Sequence, residues 1–175
     1  MKRLLLLRHA KAAQDGGQGD HARPLTPRGE ANAARMGHAI DLRGYAPDVV
    51  LCSDSRRTVQ TWELLAPELG RAPAVDFRDD LYLASHKLLL AAAREAPDEA
   101  DAAMILGHNP GLEDLGLRLA RTPATRAEAA KLEAMREKFP TCALAVLDFG
   151  IASWSDLSPG TGALSLFLRP KDLDD

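Results

Sequence analysis

A chain of 175 residues with 46% hydrophobic side chains has the size of one compact domain built around a single core. A formal charge of −3 and a pI near 6.0 argue against the broad basic surface that tracks a nucleic-acid backbone, so anion binding, if present, is local. Two cysteines, Cys52 and Cys142, each beside an apolar segment and outside any C-x-x-C pair, point to neither a disulfide framework nor a zinc site and fit a reducing, cytoplasmic compartment.

Met1-Lys2-Arg3 followed by Leu4 to Leu7 has the outline of a signal peptide. The apolar run stops at Arg8-His9, too short for an h-region, and reads as a buried strand over Arg3–Leu7. No apolar stretch approaches the roughly 20 residues that span a bilayer, so no membrane partner is expected. Gln14 to Asp20, with Gly16, Gly17 and Gly19, is a loop that either covers a site or is plain surface. Thr26-Pro27 opens a helix as N-cap and first-turn proline, turns Ala33, Met36, Gly37 and Ile40 inward, and ends near Gly44. Asp48–Cys52 reads as the second strand. The next helix begins around Ser53 to Ser55, carries Val59, Trp62, Ala66 and Leu69 inward, and closes at Gly70.

Further strands are expected at Ala74–Phe77 and Ala103–Leu106, separated by a Leu- and Ala-rich helix from Ser85 to Ala96. Asn109-Pro110 opens a fourth helix, with Asn109 as N-cap and Leu112, Leu115 and Leu119 facing the core. Thr125 to Lys138 is a charged surface helix with Leu132, Met135 and Phe139 on one stripe. Ala143–Phe149 and Ala163–Leu168 read as a closing antiparallel pair, joined through Ser158-Pro159-Gly160 and Gly162, before a frayed acidic tail at Asp172 to Asp175. Strands alternating with helices predict an α/β layer with a largely parallel sheet.

Open α/β sheets bind ligands beyond the carboxyl ends of their strands. Those ends are followed here by Arg8-His9, by Ser53-Asp54-Ser55-Arg56-Arg57, by Asp79-Asp80, and by Gly107-His108-Asn109-Pro110. Two guanidinium groups and two imidazoles around one point repel one another unless a multiply charged anion lies between them, and a phosphoryl group satisfies that need. Arginine matches phosphate oxygens bidentately, and helix N-termini near Ser53 and Asn109 would add backbone donors. A partly neutral histidine can attack phosphorus, leaving the other to bind.

Four ordered blocks carry a resemblance across nearly the whole chain: Leu6-Leu7-Arg8-His9-Ala10, Arg23-Pro24-Leu25-Thr26-Pro27-Arg28-Gly29, Ser53 to Thr61, and Leu106-Gly107-His108-Asn109-Pro110. Together they resemble the histidine phosphatase superfamily, which includes the phosphoglycerate mutases, and within it the SixA-type phosphohistidine phosphatases. The resemblance implies a three-layer α/β/α sandwich with a mostly parallel central sheet and a C-terminal antiparallel strand pair. It makes His9 the phosphorylated nucleophile, with Arg8, Arg57 and His108 completing the phosphate pocket and Asn109 beside them. Arg57 rather than Arg56 fits the family spacing set by Ser53, Gln60 and Thr61. Ala10 replaces the glycine common after Arg-His, a change shared with SixA-like members. Larger members place a glutamate general acid after the third strand; Asp80 is the nearest match, with Asp79 adjacent and a surface or capping role as the alternative. A weak acid favours phosphohistidine over esters, because an alkoxide leaving group needs more protonation.

The implied enzyme needs no metal and no cofactor, and its partner is a phosphorylated substrate such as a histidine-phosphotransfer protein. His21, His38 and His86 have no metal-ligand spacing. A cysteine-dependent phosphatase is disfavoured because Thr58 stands where its arginine would follow Cys52. A G-x-x-x-x-G-K-[ST] loop is missing as well. The alternatives kept open are a small-molecule phosphomonoesterase or mutase of the same superfamily, and a catalytically idle phosphoprotein-binding module.

Overall fold

The structure is a computed structural model that describes residues 1–173. Its strands are β1 (Lys2–Arg8), β2 (Val49–Ser53), β3 (Ala74–Arg78), β4 (Ala102–Gly107), β5 (Leu144–Phe149) and β6 (Ala163–Leu168). They form one sheet in the order β3-β2-β4-β1-β5-β6. β1 to β4 pair in parallel, whereas β5 and β6 are antiparallel to their neighbours.

Period-2 alternation of the strand residues decides which layer each helix joins. Leu5, Leu7, Val50, Met104, Leu106 and Val146 face one side, where they meet Met36 and Ile40 of α1 (Pro27–Leu42) and Trp62 and Leu65 of α2 (Arg56–Leu65). Leu4, Leu6, Leu51, Ile105 and Leu147 face the other. There they pack on α3 (His86–Arg94), α4 (Gly111–Leu119) and α5 (Arg126–Glu137). The unbroken Leu4–Leu7 run is thereby explained: a strand covered on both faces has no solvent side to make polar. Each fully buried leucine contributes about 1.5–3 kcal/mol relative to exposure. No helix among the described residues is long and apolar enough to cross a membrane.

Several local expectations need correction. The buried stripe of α2 is Arg57, Thr58, Thr61, Trp62 and Leu65; Val59 is only half-buried, while Leu69, beyond the helix, is buried as expected. Polar residues take the inward positions because the first turn of α2 lies under the cleft and not over apolar core. The helix ends at Leu65 and tightens into a 3₁₀ turn over Ala66–Glu68, well before Gly70. Because α4 begins at Gly111, its N-cap is Pro110, not Asn109; Asn109 acts from one residue earlier, its Oδ1 accepting from the Glu113 amide at 3.2 Å. In the acidic tail, Asp172 is not frayed: it belongs to a 3₁₀ turn, Pro170–Leu173, and its carboxylate accepts from Arg169 Nε at 2.9 Å. Asp174 and Asp175 lie outside the described residues.

Thr26 caps α1 as its sequence suggests, its Oγ1 accepting from the Gly29 amide at 3.0 Å. The Thr26 amide in turn donates to the Lys11 carbonyl at 2.9 Å, which ties the helix start to the segment that follows His9. Gly29 lies so close to that segment that a Cβ would meet the Lys11 carbonyl oxygen at 2.2 Å. Replacing Gly29 by alanine must push the helix and the His9 loop apart. Gly29→Ala is expected to cost about 1–3 kcal/mol in urea unfolding and to lower phosphate affinity along with stability; unchanged values of both would contradict this close approach.

Candidate active site

β1 and β4 are parallel neighbours in register, with Arg8 opposite Gly107. The chain therefore leaves both strands at the same sheet edge, and the next residues, His9 and His108, bring their rings to 5.3 Å centroid separation. β2 ends beside them at Ser53, and the first turn of α2 presents Arg57. Arg8, His9, Arg57 and His108 line a cleft of about 320 Å³, together with Lys11, Ala12, Asp20, Arg23, Leu83, Asn109 and Thr141.

A buried polar network supports the cleft from below. Thr61 Oγ1 accepts from the Ala10 amide at 3.0 Å and donates to the Arg57 carbonyl at 2.7 Å, joining the His9 loop to α2. Gln60 Oε1 accepts from the Leu25 amide at 2.8 Å. The Ser53-to-Thr61 block thus acts mainly as scaffold, with only Arg57 presented to the cleft. Cys142 has a left-handed backbone, φ 61°, and its amide donates to the carbonyls of Arg8 and His9 at 3.1 and 2.9 Å. Ala10 has no positive φ, so the departure from glycine demands no unusual backbone conformation.

The protonation states follow from the hydrogen bonds. His9 is 7% exposed, and its Nδ1 lies 2.7 Å from the Ala10 carbonyl, which can only accept. Nδ1 therefore carries the proton, and the neutral ring keeps its lone pair on Nε2. His108 Nδ1 faces Arg57 Nη2 at 3.3 Å; a guanidinium can only donate, so the His108 proton is on Nε2 and is given to Ser53 Oγ at 2.8 Å. Burial, with the charges of Arg57, Arg8 and Arg23 added, pushes His9 down to about 4. Burial, followed by His9 and Arg57, pushes His108 down to about 3. Both imidazoles are neutral at pH 7.

Arg8 donates to the Phe139 carbonyl at 3.0 Å, and the same carbonyl accepts from Asn109 Nδ2 at 2.9 Å. Arg57, 3% exposed, uses Nη1 and Nη2 on the Asp20 carbonyl and carboxylate at 2.8 and 3.0 Å. The Nε–H groups of both Arg8 and Arg57 are buried with no partner among the described residues. Buried N–H groups are seldom left unpaired, so these two donors fit a ligand that supplies acceptors. Among the described residues the cleft is lined by the cations Lys11, Arg8, Arg23 and Arg57 against one carboxylate, Asp20.

Asp80 is not brought to this cleft. After β3 the chain enters a 3₁₀ turn, Asp79–Leu81, and the Asp80 carboxylate folds back on Arg78, which donates from Nε and Nη2 at 2.9 and 2.7 Å. Asp20 occupies the mouth instead. It accepts from the Tyr82 hydroxyl and from Arg23 at 2.8 Å as well as from Arg57. The Tyr82 bond first, then those to Arg23 and Arg57, hold its carboxyl far below the usual range. Asp20 and Tyr82 were not singled out from the sequence; the available signal was the glycine-rich stretch that ends at Asp20, only three residues before Arg23-Pro24. His21 lies at the rim, 2.8 Å from Asp54 Oδ1 and edge-on to Tyr82. Arg56 is exposed and does not line the cleft, and His38 and His86 lie elsewhere. Leu83, at φ 50°, is the strained residue on the cleft wall.

Both histidines bind fewer protons folded than unfolded below their ordinary value of 6.5. Stability is then fully present above that value and is lost as pH falls from about 6.5 through the depressed midpoints. Proton NMR titration of the imidazole C–H signals should give midpoints near 4 and 3 without ligand. Saturating phosphate should raise both, since a dianion favours the charged rings. A midpoint near the ordinary value in the free protein would contradict the buried, neutral assignment.

Residues 4–82 match the family described as histidine phosphatase superfamily (branch 1). An uncharacterised protein of Mycobacterium tuberculosis is 36% identical over 165 residues, covering 94% of this chain and 100% of the relative. A solved structure from Nakamurella multipartitia, provisionally assigned as the phosphohistidine phosphatase SixA, is 31% identical with a TM-score of 0.81, over 97% of this chain and 96% of that one. Another with the same provisional assignment, from Agrobacterium tumefaciens, is 30% identical with a TM-score of 0.77, over 97% and 98%. With its fold, its four ordered blocks and these relatives in agreement, the chain belongs to the histidine phosphatase superfamily, among its SixA-type members.

Proposed function

We propose that the protein dephosphorylates phosphohistidine on proteins through a phosphorylated His9. The observation that carries this reading is the His9 hydrogen bond to the Ala10 carbonyl, which leaves Nε2 unprotonated in a cleft where cations outnumber the single carboxylate. Arg8 and Arg57 bind the equatorial oxygens, and His108 and Asn109 complete the pocket. The Nε2 lone pair forms a bond to phosphorus while the substrate P–N bond breaks, its electron pair going to the departing imidazole nitrogen, which takes its proton from water. Water then attacks phospho-His9, the P–N bond returns its pair to Nε2, and phosphate leaves with the water oxygen. Fixed guanidinium donors lower the transition state because they are oriented before charge develops. No step in this scheme is assigned to a metal.

The choice of phosphohistidine rests on the acid. Asp20 takes the place at the cleft that was expected of Asp80, yet three donors hold it ionised in the free protein. It can protonate a leaving group only once a phosphate dianion has displaced it from Arg57. Such a reluctant acid disfavours alkoxide departure and leaves phosphoramidates as the easier substrates. The provisional SixA assignment of two similar structures agrees with that choice. The second reading, a small-molecule phosphomonoesterase, is favoured by the presence of Asp20 itself, which could serve esters once protonated.

Metal-free turnover of a phosphohistidine protein and of p-nitrophenyl phosphate tests both readings. His9→Ala is expected to abolish acid-labile phosphoryl-enzyme and to lower turnover by more than about a thousandfold; undiminished turnover would remove His9 as nucleophile. Asp20→Asn is expected to cost ester hydrolysis about a hundredfold and phosphohistidine hydrolysis far less. Equal losses on the two substrates would sink the argument from the acid.

A further inference from the structure

Next to the catalytic cleft, and sharing Lys11 and Thr141 with it, lies a second cavity of about 360 Å³. Its charged lining is Lys11, Arg28, Lys138, Arg169 and Lys171 against one carboxylate, Glu137. Arg169 is clamped by Asp172 at 2.9 Å. Lys11, Arg28, Lys138 and Lys171 are exposed, and none makes an ion pair with another described residue.

These four cations come from separate parts of the chain: the segment after β1, the first turn of α1, the residue after α5, and the turn that follows β6. A fold with a net charge of −3 has gathered them around one groove whose lining holds a single carboxylate, Glu137, among the described residues. Such a patch raises the local concentration of anions and steers their approach.

We propose that this groove receives the acidic flank of the phosphorylated protein segment, so that the enzyme recognises phosphohistidine together with carboxylates next to it. The inference rests on the phosphohistidine reading above and extends it to the substrate's surroundings. A protein surface is favoured over a small bisphosphate because the cations are exposed, on long stems and spread over four segments. The segment between β3 and α3 is also short, from Asp79 to Ser85, and supplies no cap that would enclose a small molecule. Lys11, common to both cavities, is the side chain that would bridge the phosphoryl site and the groove.

The test uses two synthetic phosphohistidine peptides, one flanked by glutamates and one by lysines, with p-nitrophenyl phosphate as a control that never enters the groove. Wild type is expected to prefer the glutamate-flanked peptide by about tenfold in kcat/KM at low salt, and the preference should shrink as salt screens it. Combining Arg28→Glu, Lys138→Glu and Lys171→Glu should abolish or invert the preference and leave p-nitrophenyl phosphate hydrolysis unchanged. Equal wild-type rates on the two peptides would overturn the groove while leaving phosphohistidine as substrate, and this arm needs no variant to fold. Parallel loss on all substrates in the triple variant would mark the groove as structural and also overturn it. Hydrolysis of p-nitrophenyl phosphate but of neither peptide would overturn the substrate reading and the groove with it.

Discussion

Burying one arginine almost fully and a second in part is unfavourable unless something negative answers, and the architecture of this protein is organised around that unanswered charge. Arg57 is almost fully buried and leans on Asp20, while Arg8 is satisfied only in part by a backbone carbonyl. The Nε–H of each is buried without a partner among the described residues. The desolvation has already been met in folding, so an arriving phosphoryl group finds donors that need little reorganisation. The same positive field, added to burial, keeps His9 and His108 neutral. Burial of positive charge thus both leaves donors that suit an anion and keeps His9 Nε2 free of a proton.

What holds the site in place is the register of the parallel strands. Arg8 stands opposite Gly107, so the following histidines leave adjacent strands side by side. Around them the polar face of α2 is pinned through Thr61 to the Ala10 amide, and α1 is pressed on Lys11 at a distance that only glycine at position 29 permits. Ser53 fixes the ring of His108 by accepting its Nε2 proton. The blocks that mark the family in sequence therefore contain more scaffold than chemistry: Thr26, Gly29, Gln60 and Thr61 serve to keep Arg8, His9 and Arg57 in position.

Asp20 adds a second layer of control. In the empty cleft it stands as an internal anion on Arg57, a weaker and more exposed substitute for phosphate. A dianion can displace it because two charges on a rigid tetrahedral group match the guanidinium donors better than one carboxylate on a solvent-facing loop. On the function proposed above, displacement would also relieve the bonds that hold Asp20 ionised and would couple substrate binding to acid strength through the same Arg57.

The periodicity of the apolar residues was enough to locate all six strands and the five helices, since a buried strand or an amphipathic helix must write its pattern locally. Arg8, His9 and His108 could be brought together from the sequence because each lies at a strand end in a parallel sheet, whereas Arg57 was told from Arg56 only by the family spacing around Ser53, Gln60 and Thr61. The inward polar stripe of α2 was not legible, because its neighbours are the cleft and the His9 loop, which lie far away in sequence. Nor could Asp20 be chosen over Asp80 from spacing. Both are acidic residues beside plausible entrances; one finds Arg78 two residues before it on its own strand end, and the other finds Arg57 and Tyr82 across the fold. The sequence by itself determined the layers, the strand ends and the chemistry they present, all consequences of short-range pattern. Only the tertiary structure decided which carboxylate faces the His9 cleft and which cations gather beside it, because loop conformation and long-range pairing, which local pattern does not encode, set those positions.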